Sequence, residues 1–376
     1  DDPTGDDATA DGDADPGEEK KELTIEEKVN AAVGLLDDEE NQENIQKAIG
    51  ELEGLVRESP SEAMAHFNLG VAYHLADKKD DAKRAYQAAV NLDPTIGDAW
   101  LYQGVLQEEQ GRVDSAISNY RTGIRNDPEN MNVRVALIGL LRKEGRQVEA
   151  IDEAKAALKV NANSLAVYNN MGLAYLDNGD LALARFVYQK ALEIGDEAKN
   201  NAYLQSNYGW VLYQKGEKGP ATYRLQKAVE LDPELVPALI YLSKLYMEDR
   251  NYSDTIDLLE RAAKKAPENH GVQMNLGIAY RGVGRFDDAK VAYGKAIEID
   301  PNIPDPYINL GILYGDYTKE YKESLDAFGK YVEMGGPQSE QATEYIEAIE
   351  KEQSRSERRK KAEEAKKQGE KEREER

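Results

Sequence analysis

An all-α solenoid of about nine helix-turn-helix units is the fold this sequence predicts, and three observations predict it. A pattern recurs every 34 residues, glycine holds the same place in six of the units, and alanine holds another place in seven. Aligning Gly70, Gly104, Gly172, Gly209, Gly277 and Gly311 stacks the segments 29–62, 63–96, 97–130, 131–164, 165–198, 202–235, 236–269, 270–303 and 304–338. Glycine makes up about 7% of an average sequence, so its return in that register is a structural requirement. The frame slips twice, by an insertion at Lys199 to Asn201 and by one residue near Tyr317.

Each recurring residue has a mechanical reason. Glycine at position 8 and alanine at position 20 (Ala48, Ala82, Ala116, Ala150, Ala184, Ala221 and Ala289) lack bulk where two helices cross, and Thr255 and Ser324 are small substitutes. The aromatic at position 24 and the large residue at position 11 fill the space so created. Glycine after the first helix, as at Gly111, Gly145, Gly179, Gly216 and Gly284, suits a left-handed cap. Pro60, Pro94, Pro128, Pro233, Pro267 and Pro301 end the second helix. Units that depart furthest are expected to be looser: the first has Leu36 at the glycine place, and repeat 131–164 has Ile138 there, Ala154 for the aromatic and Ala162 for proline.

The ends read differently from the array, which spans 23–338. Residues 1–22 are predicted to be a disordered acidic tether, because the first 19 carry nine carboxylates, no basic residue and no large apolar side chain. Residues 339–352 carry Ala342, Tyr345, Ile346 and Ile349 at helical spacing, the pattern of a capping helix that covers the last exposed edge. Residues 353–376 form a charged tail, helical or disordered, in which Glu357 with Lys361 and Glu363 with Lys367 are helix-favouring pairs.

Composition narrows the function. With 72 acidic against 48 basic residues and a net charge of -24, most of the surface repels phosphates and anionic lipid head groups, so nucleic acid is not an expected ligand. There is no cysteine, and no apolar run approaches the roughly 18 residues of a membrane span. His66, His74 and His270 have no partner at metal-ligand spacing, and no phosphate-binding loop, HExxH or GxSxG is present. No catalytic residue, cofactor or metal is expected, and the chain is not expected to be an enzyme.

Leu69, Gly70, Tyr73, Ala82, Tyr86, Ala89 and Pro94 recur as Leu276, Gly277, Tyr280, Ala289, Tyr293, Ala296 and Pro301. In period and pattern, residues 29–338 resemble the tetratricopeptide repeat. The resemblance implies a right-handed superhelix whose first helices line a concave face through positions 2, 5, 6, 9, 12 and 13. Position 6 is Asn68, Asn170, Asn207, Asn275 and Asn309, which resembles an asparagine ladder that grips an extended peptide by its backbone. Tyr102 and Ala136 interrupt it. The same amides could instead satisfy local backbone groups.

Trp210 falls at a groove position where tryptophan has no packing duty, and with Tyr203, Tyr213, Tyr241, Met247 and Met274 it forms a candidate binding patch. Packing against the neighbouring first helix is the alternative. Acid predominates at the groove positions (Asp98, Glu108, Glu109, Asp177, Glu248, Asp305 and Asp316, among others), which suits a partner with basic character. The carboxylate-clamp subtype lacks its lysines and arginines here.

The expected function is a protein-protein interaction scaffold or adaptor binding an extended peptide or partner helix. The alternatives are a spacer that assembles a complex through its convex face and tails, a groove filled by the chain's own C-terminal helix, and a module of a larger enzyme. The start at Asp1, the Asp-rich tether and the absence of cysteine fit a bacterial envelope protein, in the periplasm or on the outer membrane ahead of the cytoplasm, with a lipid-anchoring residue upstream of Asp1. The whole chain is also similar to tetratricopeptide lipoproteins of myxobacterial gliding-motility machinery, though no single motif carries that likeness.

Overall fold

Helix starts and stops in this chain follow short-range chemistry. A computed structural model of the chain describes residues 23–374, so the tether expected at 1–22 lies outside the described residues. The first helix begins at a reciprocal cap, in which the Thr24 hydroxyl accepts from the Glu27 amide and the Glu27 carboxylate accepts from the Thr24 amide. It therefore starts four residues before the first 34-residue frame. The described residues are helical with no strand, and they fall into two units, residues 1–144 and 145–376.

Unit 1 holds α1 (Ile25–Val33), a 3₁₀ turn (Gly34–Leu36), α2 (Gln42–Glu58), α3 (Ala63–Leu75), α4 (Lys79–Leu92), α5 (Gly97–Glu109), α6 (Val113–Asn126) and α7 (Met131–Lys143). Unit 2 holds α8 (Gln147–Val160), α9 (Leu165–Asp177), α10 (Leu181–Glu193), α11 (Asp196–Lys199), α12 (Ala202–Gln214), α13 (Lys218–Leu231), α14 (Val236–Glu248), α15 (Tyr252–Lys265), α16 (His270–Gly282), α17 (Phe286–Ile299), α18 (Asp305–Ile312), α19 (Tyr321–Glu333) and α20 (Ser339–Glu374). Within each unit, successive helices pack as hairpins, α3 on α4 and α5 on α6 in the first, α12 on α13 and α16 on α17 in the second.

The periodic glycines sit where a ring must pass. A Cβ on Gly70 or Gly172 would come to 2.5 Å from Tyr86 or Tyr188, and one on Gly311 to 2.6 Å from Phe328. Position 8 is thus the floor under the position-24 side chain of the same hairpin, and Tyr86, Tyr120, Tyr188, Tyr293 and Phe328 are all fully buried. The position-20 alanines are also fully buried. Thr255 and Ser324 share that burial because their hydroxyls donate to the carbonyls of Asn251 (2.8 Å) and Gly311 (2.7 Å).

In four repeats the side chain at position 4 ties the hairpin to the turn before it. Trp100 Nε1 donates to the Pro94 carbonyl at 2.9 Å, Arg134 Nε to that of Pro128 at 3.1 Å, and Gln205 Nε2 to that of Lys199 at 2.7 Å, while His66 Nε2 lies 3.0 Å from the Pro60 carbonyl. The left-handed cap after the first helix is glycine at Gly111, Gly179 and Gly216, with φ of 69°, 81° and 78°. Asp77, Arg250 and Lys319 hold the same conformation without glycine, at φ of 56°, 57° and 60°.

Both frame slips have a structural form. The insertion becomes the extra turn α11, which buries Ala198 completely. The one-residue slip becomes a π-helical stretch at Leu313–Thr318, where the wider turn absorbs the added residue. Finally, α20 packs Ala342, Tyr345, Ile346 and Ile349 against Phe328, Tyr331 and Ile308, and continues as one helix beyond Glu350.

Candidate functional site

The predicted ring residues of unit 2 lie on α12 and α14. Asn201 starts α12 by accepting from the Leu204 amide at 3.0 Å, and this phase puts Asn207, Trp210 and Tyr213 on one side of the helix. The neighbouring α14 brings Tyr241, Lys244 and Glu248 to meet them. Tyr241 stacks on Trp210 with ring centroids 4.3 Å apart and planes inclined by 14°, and Trp210 stacks on Tyr213 at 5.1 Å and 20°. The Lys244 ammonium lies 5.2 Å from the Trp210 ring and 5.4 Å from that of Tyr213, within cation–π range. Trp210, Tyr213 and Tyr241 are half-buried and Lys244 is exposed, so this shelf faces solvent.

A clasp fixes the shelf's edge. The Glu248 carboxylate accepts from the Tyr213 hydroxyl through one oxygen and from Lys218 Nζ, at 2.6 Å, through the other. The Lys218 bond first, and the Tyr213 bond second, hold the Glu248 carboxyl below its ordinary range. Burial first, then the bond to Glu248, pushes the Tyr213 phenol up to about 12.

The rest of the candidate patch divides. Met274 is half-buried and packs against the core cluster of Tyr293, Leu310 and Leu313. Tyr203 stands two turns before Trp210 on α12 with 58% of its surface exposed, and Met247 is half-buried on α14. Trp210 therefore has neighbours on the adjoining first helix, as the packing alternative expects, while its stack still opens to solvent.

The asparagines behave in two ways. Asn68, Asn170 and Asn309 donate to the carbonyls four residues back on their own helices, at 2.9, 3.0 and 2.9 Å. Such a bond uses one amide hydrogen and leaves a second hydrogen and an acceptor oxygen to offer. Asn207 Nδ2 instead donates across to Asn169 Oδ1 at 2.8 Å, and Asn275 is half-buried on α16. Asn169, at position 5, escaped the sequence reading because only the side-by-side placement of α9 and α12 makes it a partner.

Unit 1 has its own ring cluster, where Tyr102 replaces the asparagine. Tyr102 stacks on Tyr86 at 5.6 Å and 15°, Phe67 lies 6.1 and 6.0 Å from the two, and His74 stands edge-on to both. Glu109 takes His74 Nε2 at 3.1 Å and Lys79 Nζ at 2.7 Å, the lysine being the larger cause of its lowered carboxyl pKa. Glu109 and Glu248, two of the acids read as an attraction for a basic partner, are thus already paired.

Two clefts lie away from the predicted residues. One, of about 680 Å³, is bordered by Glu260 and Lys264 of α15 and Asp288 and Val291 of α17 over a floor of Leu276 and Tyr280; the other, of about 440 Å³, repeats it 34 residues earlier over Leu242 and Tyr246. Among the described residues no helix is long and apolar enough to cross a membrane.

Comparison with known proteins bears on the fold. The chain is 24% identical over 298 residues to the human Protein O-mannosyl-transferase TMTC3, covering 75% of this chain and 29% of that one. It is 26% identical to the Arabidopsis thaliana Protein CTR9 homolog, over 70% of this chain and 26% of that one. It is 25% identical to the Bacillus subtilis TPR repeat-containing protein YpiA, over 77% and 59%. It therefore spans less than two thirds of each. Among solved structures, the APC/C hetero-tetramer Cut9-Hcn1 matches with a TM-score of 0.55 at 13% identity, over 87% of this chain and 67% of that one. Family models described as tetratricopeptide repeat match residues 34–82, 76–131, 109–164, 163–234 and 272–303. Those matches extend over most of the array and agree with its glycine-floored hairpins, so the chain belongs to the tetratricopeptide-repeat family.

Proposed function

We propose that this chain is a protein-interaction scaffold that holds an extended peptide on the first helices of unit 2, with Trp210, Tyr213, Tyr241 and Lys244 as the anchor. One observation carries the reading: core packing does not require three aromatic rings stacked on the first helices, and these are half-buried beneath a lysine. The ring edges suit an apolar or aromatic side chain of the ligand, and the Lys244 ammonium suits a carboxylate or backbone carbonyl beside it. Asn170, Asn207, Asn275 and Asn309 lie on the first helices of the same unit and supply amides to the ligand backbone. The expected basic character of the ligand rests on the exposed Asp305 and Asp316, since Glu248 is paired. No reaction is part of this reading; the transferase named among the relatives is matched over 29% of its length.

Peptides selected from a random display library on the full chain test it. Affinity measured on Trp210→Ala/Tyr241→Ala should fall by about 2 kcal/mol, roughly 30-fold. Undiminished affinity would place the ligand elsewhere.

A further inference from the structure

The last described helix, α20, is much longer than capping requires. Up to Ile349 one side of α20 is apolar and packed, and from Glu350 to Lys367 every side chain but the half-buried Gln353 is exposed, a bare rod of about 27 Å at 1.5 Å per residue. The rod has no apolar stripe with which to join a coiled coil, so charge is what it offers. Residues 351–367 hold eight cations against four carboxylates, in a chain whose net charge is -24.

The cations are not spread evenly. Lys351, Arg355, Arg358 and Arg359 stand at i, i+4, i+7 and i+8, which places them along one side, with Ala362 continuing it. At 100° per residue the centre of that side is turned by roughly 130° from the one on which Ala342, Tyr345 and Ile349 pack. All four are exposed, so the stripe points away from the array. Arg355, Arg358 and Arg359 also lie about 9 to 15 Å along the helix past Ile349, beyond the roughly 8 Å over which physiological salt screens charge.

The chain contains a segment of matching chemistry. Residues 1–19 carry nine carboxylates and no cation. We propose that the basic stripe of α20 binds the acidic N-terminal segment of a second copy, joining chains head to tail. Such a contact is heterologous: each chain spends its stripe on one neighbour and its acidic segment on another, so assembly is open-ended. It stands apart from the aromatic shelf, and neither depends on the other.

Sedimentation equilibrium of the full chain tests this. In about 50 mM salt the average mass should climb past a dimer with concentration, and in about 500 mM salt the association should weaken at least tenfold. Arg355→Glu/Arg358→Glu/Arg359→Glu should be monomeric alone, as should a full-length chain carrying Asp6→Asn, Asp7→Asn, Asp11→Asn, Asp13→Asn and Asp15→Asn. Mixed, these two variants retain one good stripe and one good acidic segment between them, and should form a dimer that grows no further. A wild-type chain that stays monomeric, a triple-Glu variant that still assembles, or a mixture that yields no dimer overturns the proposal. So does a stripe that binds anionic phosphatidylserine vesicles while the chain fails to associate with itself.

Discussion

Repeats 63–130 of unit 1 and repeats 202–269 of unit 2 build the same clasp and put their rings to different uses. Glu109 takes His74 and Lys79; Glu248 takes Tyr213 and Lys218, from equivalent places one repeat back. In unit 1 the rings beside the clasp gather on Tyr86, a fully buried second-helix side chain, so the cluster is the outer margin of a core. In unit 2 the place of Tyr86 is taken by Leu225, fully buried against Gly209, and the aromatic bulk stands on the first helices instead. Rings that the core does not need are the ones available to a partner, and that separates Trp210 from most of the 22 tyrosines.

The largest effect that could break this comparison is on stability. Tyr86→Ala should cost about 3–5 kcal/mol, as truncation of a fully buried ring does, and Trp210→Ala no more than about 2 kcal/mol, both read from urea unfolding midpoints. Equal losses would mean that both clusters are core.

A smaller effect concerns the caps of two adjacent repeats in unit 2. Gly216 adopts its left-handed conformation without strain, whereas Arg250 does so with a Cβ in the way. Arg250→Gly should therefore raise stability by about 1 kcal/mol. A neutral or lower midpoint would show that the arginine side chain contributes something the backbone argument omits.

The smallest effect is electrostatic. Because the folded Glu248 carboxyl is held below its ordinary value, its contribution is present above about pH 4.3 and fades as pH falls through the lower folded value. The partners are largely solvated, so the clasp contributes little to stability. Glu248→Gln should be slightly less stable than wild type at pH 7, with the gap closing as pH falls through the lowered folded value. The Tyr213 phenol, raised to about 12, favours the folded state below about pH 10 and loses that contribution as pH climbs through 12. In the Gln variant its ultraviolet titration should move down toward 10, stopping short because burial is the larger cause. A gap that survives at pH 2 would trace the effect to something other than the carboxylate.

How far the sequence could be read depended on how local the cause was. Gly70 with Tyr86, the small position 20 and the glycine cap are contacts within one hairpin, so a fixed spacing reveals them. The Thr24 cap had an equally local signal in Glu27, three residues on, which the 34-residue frame obscured. The slip near Tyr317 was visible as a count, but its absorption as a π-helical turn shows only in the folded chain. The shelf was half readable: Trp210 stood out as unneeded by the core, while its stack on Tyr241 depends on how α12 and α14 lie side by side. The packing of Met274 beside Tyr293 and Leu313 was hidden for the same reason, and the pairing of Glu109 and Glu248 with lysines from the preceding repeat could not be had from position numbers alone.

The ring over a bare α-carbon has a consequence for how this chain assembles itself. Gly70 and Tyr86 lie close enough in sequence to meet as soon as one hairpin closes. A helix slid by a single residue would bring Leu69 or Val71 beneath the ring, and the hairpin could not shut. Each of the five hairpins with a ring over its position-8 glycine thus proofreads its own register before any neighbour arrives, which guards a chain of repeated modules against pairing the wrong ones.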